Sequence, residues 1–110
     1  IANDYFQSGY LAEAVNLRLS FLPDFEKYYG DKVHTKKFVT LRNLGDTCKY
    51  IVLELKQKKE VSGVSQEDLP KYKEMAIQYL EKAKIMRRAL DNHKDIIGEI
   101  DKSLELLREQ

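Results

Sequence analysis

The chain has 110 residues, 43% of them apolar and 34% charged, which allows one modest core or a cut from a larger domain. Its 19 basic and 18 acidic residues leave a net charge of +1, too balanced for a general nucleic-acid binder, which needs a basic surplus to neutralise phosphates. Two prolines and five glycines are too few for a disordered or turn-rich all-β chain, and no apolar run of about 18 residues offers a membrane span.

In chain order, Ala2 to Ser8 read as the last turns of a helix that Gly9 stops; a start inside such a segment reads as a fragment of a longer protein. A second helix is predicted from about Tyr10 to Tyr29, with Leu11, Ala14, Val15, Leu17, Phe21, Leu22 and Phe25 mostly on helical spacing. Pro23 must kink or split it, because proline lacks the amide donor and crowds the preceding turn. Gly30 and Asp31 end the segment. A third helix runs from Thr35 to about Gln57, with Phe38, Leu41, Leu44, Cys48, Ile51, Val52 and Leu55 as its apolar stripe. The segment 57–65 reads as a loop insertion, opened by basic residues and carrying Ser62 and Gly63. Ser65 is an N-cap, with Glu67, Asp68 and Pro70 just behind it. The fourth helix reaches Asp91 and lines one face with Tyr72, Met75, Ala76, Tyr79, Leu80, Ala83, Met86 and Leu90. Asn92 and His93 break the chain before a last helix, Lys94 to Arg108, that turns Ile96, Ile97, Ile100, Leu104 and Leu107 inward. The fold class is therefore all-α, with antiparallel neighbours set by short connections.

Small residues recur in order. Gly9-Tyr10-Leu11-Ala12-Glu13-Ala14 carries a glycine followed by Glu-Ala. Leu41, Leu44 and Gly45 follow as bulky, leucine and small. Tyr72-Lys73-Glu74-Met75-Ala76 comes next, with Ala83 seven residues beyond Ala76. This order resembles the tetratricopeptide repeat, a helical hairpin whose small residues let paired helices approach closely. Glu26-Lys27-Tyr28-Tyr29-Gly30, His34 and Leu41-Arg42-Asn43-Leu44-Gly45 resemble the kinesin light chain type of that repeat. The resemblance implies antiparallel hairpins of a tetratricopeptide-like right-handed superhelix, about two repeats plus a terminal helix, in a single domain over residues 1–110.

The resemblance also implies a function. The first helix of each pair would line a concave groove, placing Arg42, Asn43, Asp46, Lys49 and Tyr50 against a bound segment, with Asn3 and Gln7 in the same row one repeat earlier. Asn43 can serve a partner's backbone donors and acceptors, and Arg42 and Lys49 can take carboxylates. The expectation is a protein-interaction scaffold or adaptor that binds a protein or peptide partner, in the cytoplasm and in cytoskeletal or motor settings. It needs no cofactor or metal and binds neither nucleic acid nor membrane. Self-association through exposed repeat ends is part of the same expectation. The alternative is a purely structural bundle within a larger complex.

Enzymatic chemistry has little to stand on. Cys48 lies on the apolar stripe, where a cysteine acts as a small hydrophobe, and one cysteine with two histidines supplies no zinc set. His34 and His93 stand at helix junctions, where capping is the expected role. No carboxylate pair and no glycine-rich phosphate loop is present. Lys56, Lys58 and Lys59 read as a solvated edge. Tyr28 and Tyr29 read either as partner anchors or as seals between helical pairs.

Overall fold

The computed structural model describes residues 11–30, 34–61 and 63–109. The helix read at Ala2 to Ser8, Gly9, Asp31 and Ser62 lie outside them. Among the described residues four α-helices follow in order: α1 (Leu11–Tyr29), α2 (Thr35–Lys56), α3 (Leu69–Leu90) and α4 (Lys94–Arg108). No named strand occurs among the described residues. None of the helices is long and apolar enough to cross a membrane.

The order of packing follows the chain. The α2–α3 pair shares the most extensive contact, α4 packs mainly on α3, and α1 packs on α2. Leu44, Cys48, Ile51, Val52 and Leu55 of α2 meet Tyr72, Ala76, Leu80 and Ala83 of α3 in one core. Val15 of α1 and Ile100, Leu104 and Leu107 of α4 join that cluster from either side. Burying each large aliphatic side chain in it contributes about 1.5–3 kcal/mol.

The small residues decide how close the central pair comes. Ala76 and Ala83 have no exposed surface. A Cβ built on Gly45 would stand 2.6 Å from Leu80 Cγ and 3.0 Å from the Leu80 backbone nitrogen. At that point α2 and α3 touch backbone to side chain, and no residue larger than glycine fits without movement.

Helix ends are set by named groups. Gly30 takes φ +58, the left-handed conformation that suits glycine at a helix end, and its amide donates to the Glu26 carbonyl at 2.8 Å. Lys37, itself buried, reaches back from α2 and donates from Nζ to the Gly30 carbonyl at 2.6 Å. That bond places a cation at the C-terminal, negative end of α1. Both histidines cap helices, as expected. His34 Nδ1 accepts from the Lys36 amide at 3.0 Å, and His93 Nδ1 accepts from the Ile96 amide at 3.4 Å. Arg87 closes the end of α3 with two bonds to Asp91, at 2.9 and 2.8 Å, while its guanidinium lies 5.0 Å from the Phe38 ring centroid.

Three expectations need adjusting. Pro23 does not split its helix: α1 is a single element through it. Pro23 is exposed, and the helix continues through it although the Leu19 carbonyl loses its i+4 amide donor. Ser65 caps a 3-10 turn, Gln66–Asp68, rather than the long helix; its amide donates to the Asp68 carboxylate at 3.0 Å. Pro70 then occupies the first turn of α3, where a missing amide costs nothing.

The connection between α2 and α3 is also more than a solvated loop. Val61 is 7% exposed and belongs to the core cluster. It forms an isolated antiparallel bridge with Val64, whose amide donates to the Val61 carbonyl at 3.1 Å. Gly63 takes φ +76 and approaches Ala12 and Glu13 at the start of α1. This segment therefore touches the first helix as well as joining the next two.

Candidate functional site

The core-facing stripe of α2 fixes what its other faces can do. Val39, Asn43, Asp46 and Tyr50 recur at i, i+4, i+7 and i+11, so they form one row on a helix. The row lies away from Leu44, Cys48 and Ile51. Val39 is 46% and Tyr50 43% exposed. Arg42 and Lys49 flank this row on the side toward α4.

Those flanking groups are already engaged. Arg42 Nη2 lies 3.5 Å from each Glu99 carboxylate oxygen, and its Nε lies 3.6 Å from Asp46 Oδ2. Lys49 Nζ donates to Ser103 Oγ at 3.1 Å and stands 5.2 Å from the Tyr50 ring centroid. The result is a polar seam between α2 and α4. Burial pushes the Asp46 carboxyl above the usual carboxylate range and nearby Glu99 pushes the same way, while Lys49 and Arg42 act against it. Its ion pair with Arg42 is therefore partly offset by lost hydration.

Of the seven residues expected in a groove, Asn3 and Gln7 lie outside the described residues. Arg42, Asp46 and Lys49 are gathered by the structure into the seam. Asn43 and Tyr50 face outward on the row beside it. The Asn43 backbone carbonyl accepts from Thr47 Oγ1 at 2.7 Å, a bond within the helix, and Asn43 itself is half-buried. Val39 belongs to the same row, and the reading of the sequence passed over it. Its signal is the helical spacing from Asn43, outside the buried stripe.

The remaining candidates have structural surroundings. Cys48 has no exposed surface, and burial pushes its thiol up to about 12. A thiolate is the reactive form, so we predict that Cys48 resists thiol reagents at pH 8 in the folded chain and reacts fully in denaturant. Rapid stoichiometric labelling of the native chain would overturn its placement. Lys58 and Lys59 are exposed, and Lys59 Nζ lies 3.7 Å from Glu54. Tyr28 is 81% exposed. Among the described residues, no three His, Cys, Asp or Glu side chains gather as a metal set.

No family model, curated protein or solved structure matches the chain.

Proposed function

We propose that this chain is a tetratricopeptide-like scaffold segment whose α2–α4 face holds a peptide or helix from a protein partner. The carrying observation is the close approach at Gly45, with Ala76 and Ala83 fully buried. Small residues at these positions are what a repeat hairpin of that type needs. A first-helix row then faces outward as Val39, Asn43 and Tyr50, with an aromatic and an amide suited to recognition. Arg42 and Lys49 support the row from the seam, and a partner carboxylate would compete with Glu99 for Arg42. The resemblance to the kinesin light chain type extends this reading to cytoplasmic, cytoskeletal or motor-associated assemblies and to a right-handed superhelix.

Capture of partners by the parent protein, repeated with variants, tests the reading. Tyr50→Ala is expected to weaken the captured partner about tenfold, a typical loss at an aromatic anchor, and Asn43→Ala to weaken it less, both with unchanged helicity. Unchanged affinity in both variants would overturn the groove.

One observation favours the second reading, a purely structural bundle. Arg42 and Lys49 already serve α4. Under that reading, Arg42→Ala lowers the melting temperature while no partner responds to Asn43 or Tyr50.

A further inference from the structure

At the junction between α1 and α2 stands a residue whose bonding depends on a proton. His34 is the N-cap of α2, and its Nδ1 accepts from the Lys36 amide at 3.0 Å. Its own carbonyl accepts the first bond of the helix, from the Phe38 amide at 3.1 Å. Only a neutral ring can cap in this way, because a charged imidazole carries a hydrogen on both nitrogens and has no acceptor left. The ring also meets the positive end of the α2 dipole. The first turn of α2 carries Lys36 and Lys37 and no acid. From α1 comes Glu26, whose carboxylate lies 4.0 Å from Lys37 Nζ. From α3 comes Arg87, 5.0 Å from the Phe38 ring centroid and bonded to Asp91 at 2.8 Å. Both of these acids already face a cation of their own.

We propose that His34 is a pH-sensitive clasp on the α1–α2 junction. Lys37 lies in the turn that His34 caps and donates from Nζ to the Gly30 carbonyl at 2.6 Å. The cap of α2 and the tie to the end of α1 therefore share one turn of backbone. Free imidazole takes its proton at about pH 6.5. Once the ring is charged, Nδ1 becomes a donor facing the Lys36 amide, which is also a donor. The new cation stands beside Lys36 and Lys37 at the helix end that disfavours it. The first turn of α2 then frays, Lys37 loses the backbone that aims it at Gly30, and the end of α1 loosens from α2. Because only the neutral ring makes the bond, the clasp is closed in neutral and basic solution and opens on acidification. His93 caps α4 through the same atom, in different surroundings. Its bond is longer, at 3.4 Å, Asp95 stands in the first turn of α4, and the Asp91 carboxylate accepts from the His93 amide at 3.1 Å. A charged ring there keeps two carboxylate neighbours, so the response belongs to α2.

Amide hydrogen exchange of the whole chain, followed by NMR at about pH 8 and about pH 5, tests the clasp as a local opening. Protection of the Lys36, Phe38 and Gly30 amides, each taken relative to its intrinsic rate at that pH, should fall about threefold to tenfold on acidification, the size of one lost cap. His34→Asn should abolish the fall, because asparagine caps well and keeps its acceptor at either pH. Lys37→Met should release Gly30 at both pH values and leave the Lys36 response in place. His93→Asn should leave the α2 response unchanged, and so should Asp31→Asn, which removes a carboxylate near His34 in sequence. The imidazole nitrogen shifts of His34 in neutral to basic solution should show the proton on Nε2. Equal protection at the two pH values while the His34 ring titrates overturns the proposal. So does a fall that survives His34→Asn, or one that Asp31→Asn removes. A proton found on Nδ1 in basic solution overturns it as well. A Gly30 amide that holds its protection while Lys36 loses it overturns the link to α1.

Discussion

Replacing Gly45 with valine is expected to cost about 2–3 kcal/mol, which for a chain near 100 residues lowers the melting temperature by roughly 10–20 °C. The added Cβ would stand 2.6 Å from Leu80 Cγ, 2.7 Å from Leu80 Cδ2 and 3.0 Å from the Leu80 amide nitrogen. Leu80 has no exposed surface, so it cannot swing aside into water. The helices must part, and the buried leucines and isoleucines around the contact then lose packing. Even alanine should destabilise here, although helix propensity alone favours it over glycine by about 1 kcal/mol. Gly98 provides the internal control. It lies within α4, and a Cβ there meets nothing within 4 Å. Gly98→Ala should therefore stabilise the chain by about 0.5–1 kcal/mol. Thermal melts of the variants check the pair of signs. A Gly45→Val melt equal to wild type would remove the close approach from the fold.

Truncating the other side of that contact should be as damaging. Leu80→Ala is expected to cost about 3 kcal/mol, within the range of large-to-small changes in a packed core. Leu80 is among the largest fully buried side chains and is surrounded by residues of α2 and α3. The cavity it leaves borders Gly45, which gives a sharper test than the single variant. In Leu80→Ala the space that forbids a Cβ at position 45 becomes open. Gly45→Ala should then cost little or even stabilise, so the double variant should be less damaged than the sum of the singles by about 1 kcal/mol or more. Denaturant titration of the four proteins measures this coupling. Strict additivity would show that the two residues do not share the contact.

Much of the architecture was legible because it rests on periodicity. Phe38, Leu44, Cys48, Ile51, Val52 and Leu55 repeat at helical spacing and all are buried in α2. The same holds for Ile97, Ile100, Leu104 and Leu107 in α4. Cap chemistry at His34 and His93 was legible for a related reason, since both stand where regular spacing stops. Pro23 was harder, because local sequence cannot tell whether the ring faces solvent or a neighbouring helix. Val61 was not legible at all. A single buried valine in an irregular connection has no repeat to reveal it.

The candidate site was half legible. The spacing of Arg42, Asn43, Asp46, Lys49 and Tyr50 puts them on the faces of α2 away from the core. Which of them another helix engages depends on residues far along the chain. Arg42 meets Glu99 across 57 positions, and Lys49 meets Ser103 across 54. No local pattern encodes those meetings. They follow from α4 lying along α3 and within reach of α2, which is decided by the buried faces of all three helices.

The buried valine in the α2–α3 connection has a consequence for how the chain reaches its fold. Most core contacts here join neighbours in sequence, a topology that favours rapid folding. A connection of this length would ordinarily add only an entropic cost to closing the hairpin. Val61 changes that, because the connection carries its own hydrophobic anchor into the forming core. The Val61–Val64 bridge shortens the freely moving part of the chain. Gly63, close to Ala12 and Glu13, brings the start of α1 to the same place. The connection thus acts during folding as a meeting point for three helices, and the assembly rate becomes sensitive to a residue outside any of them.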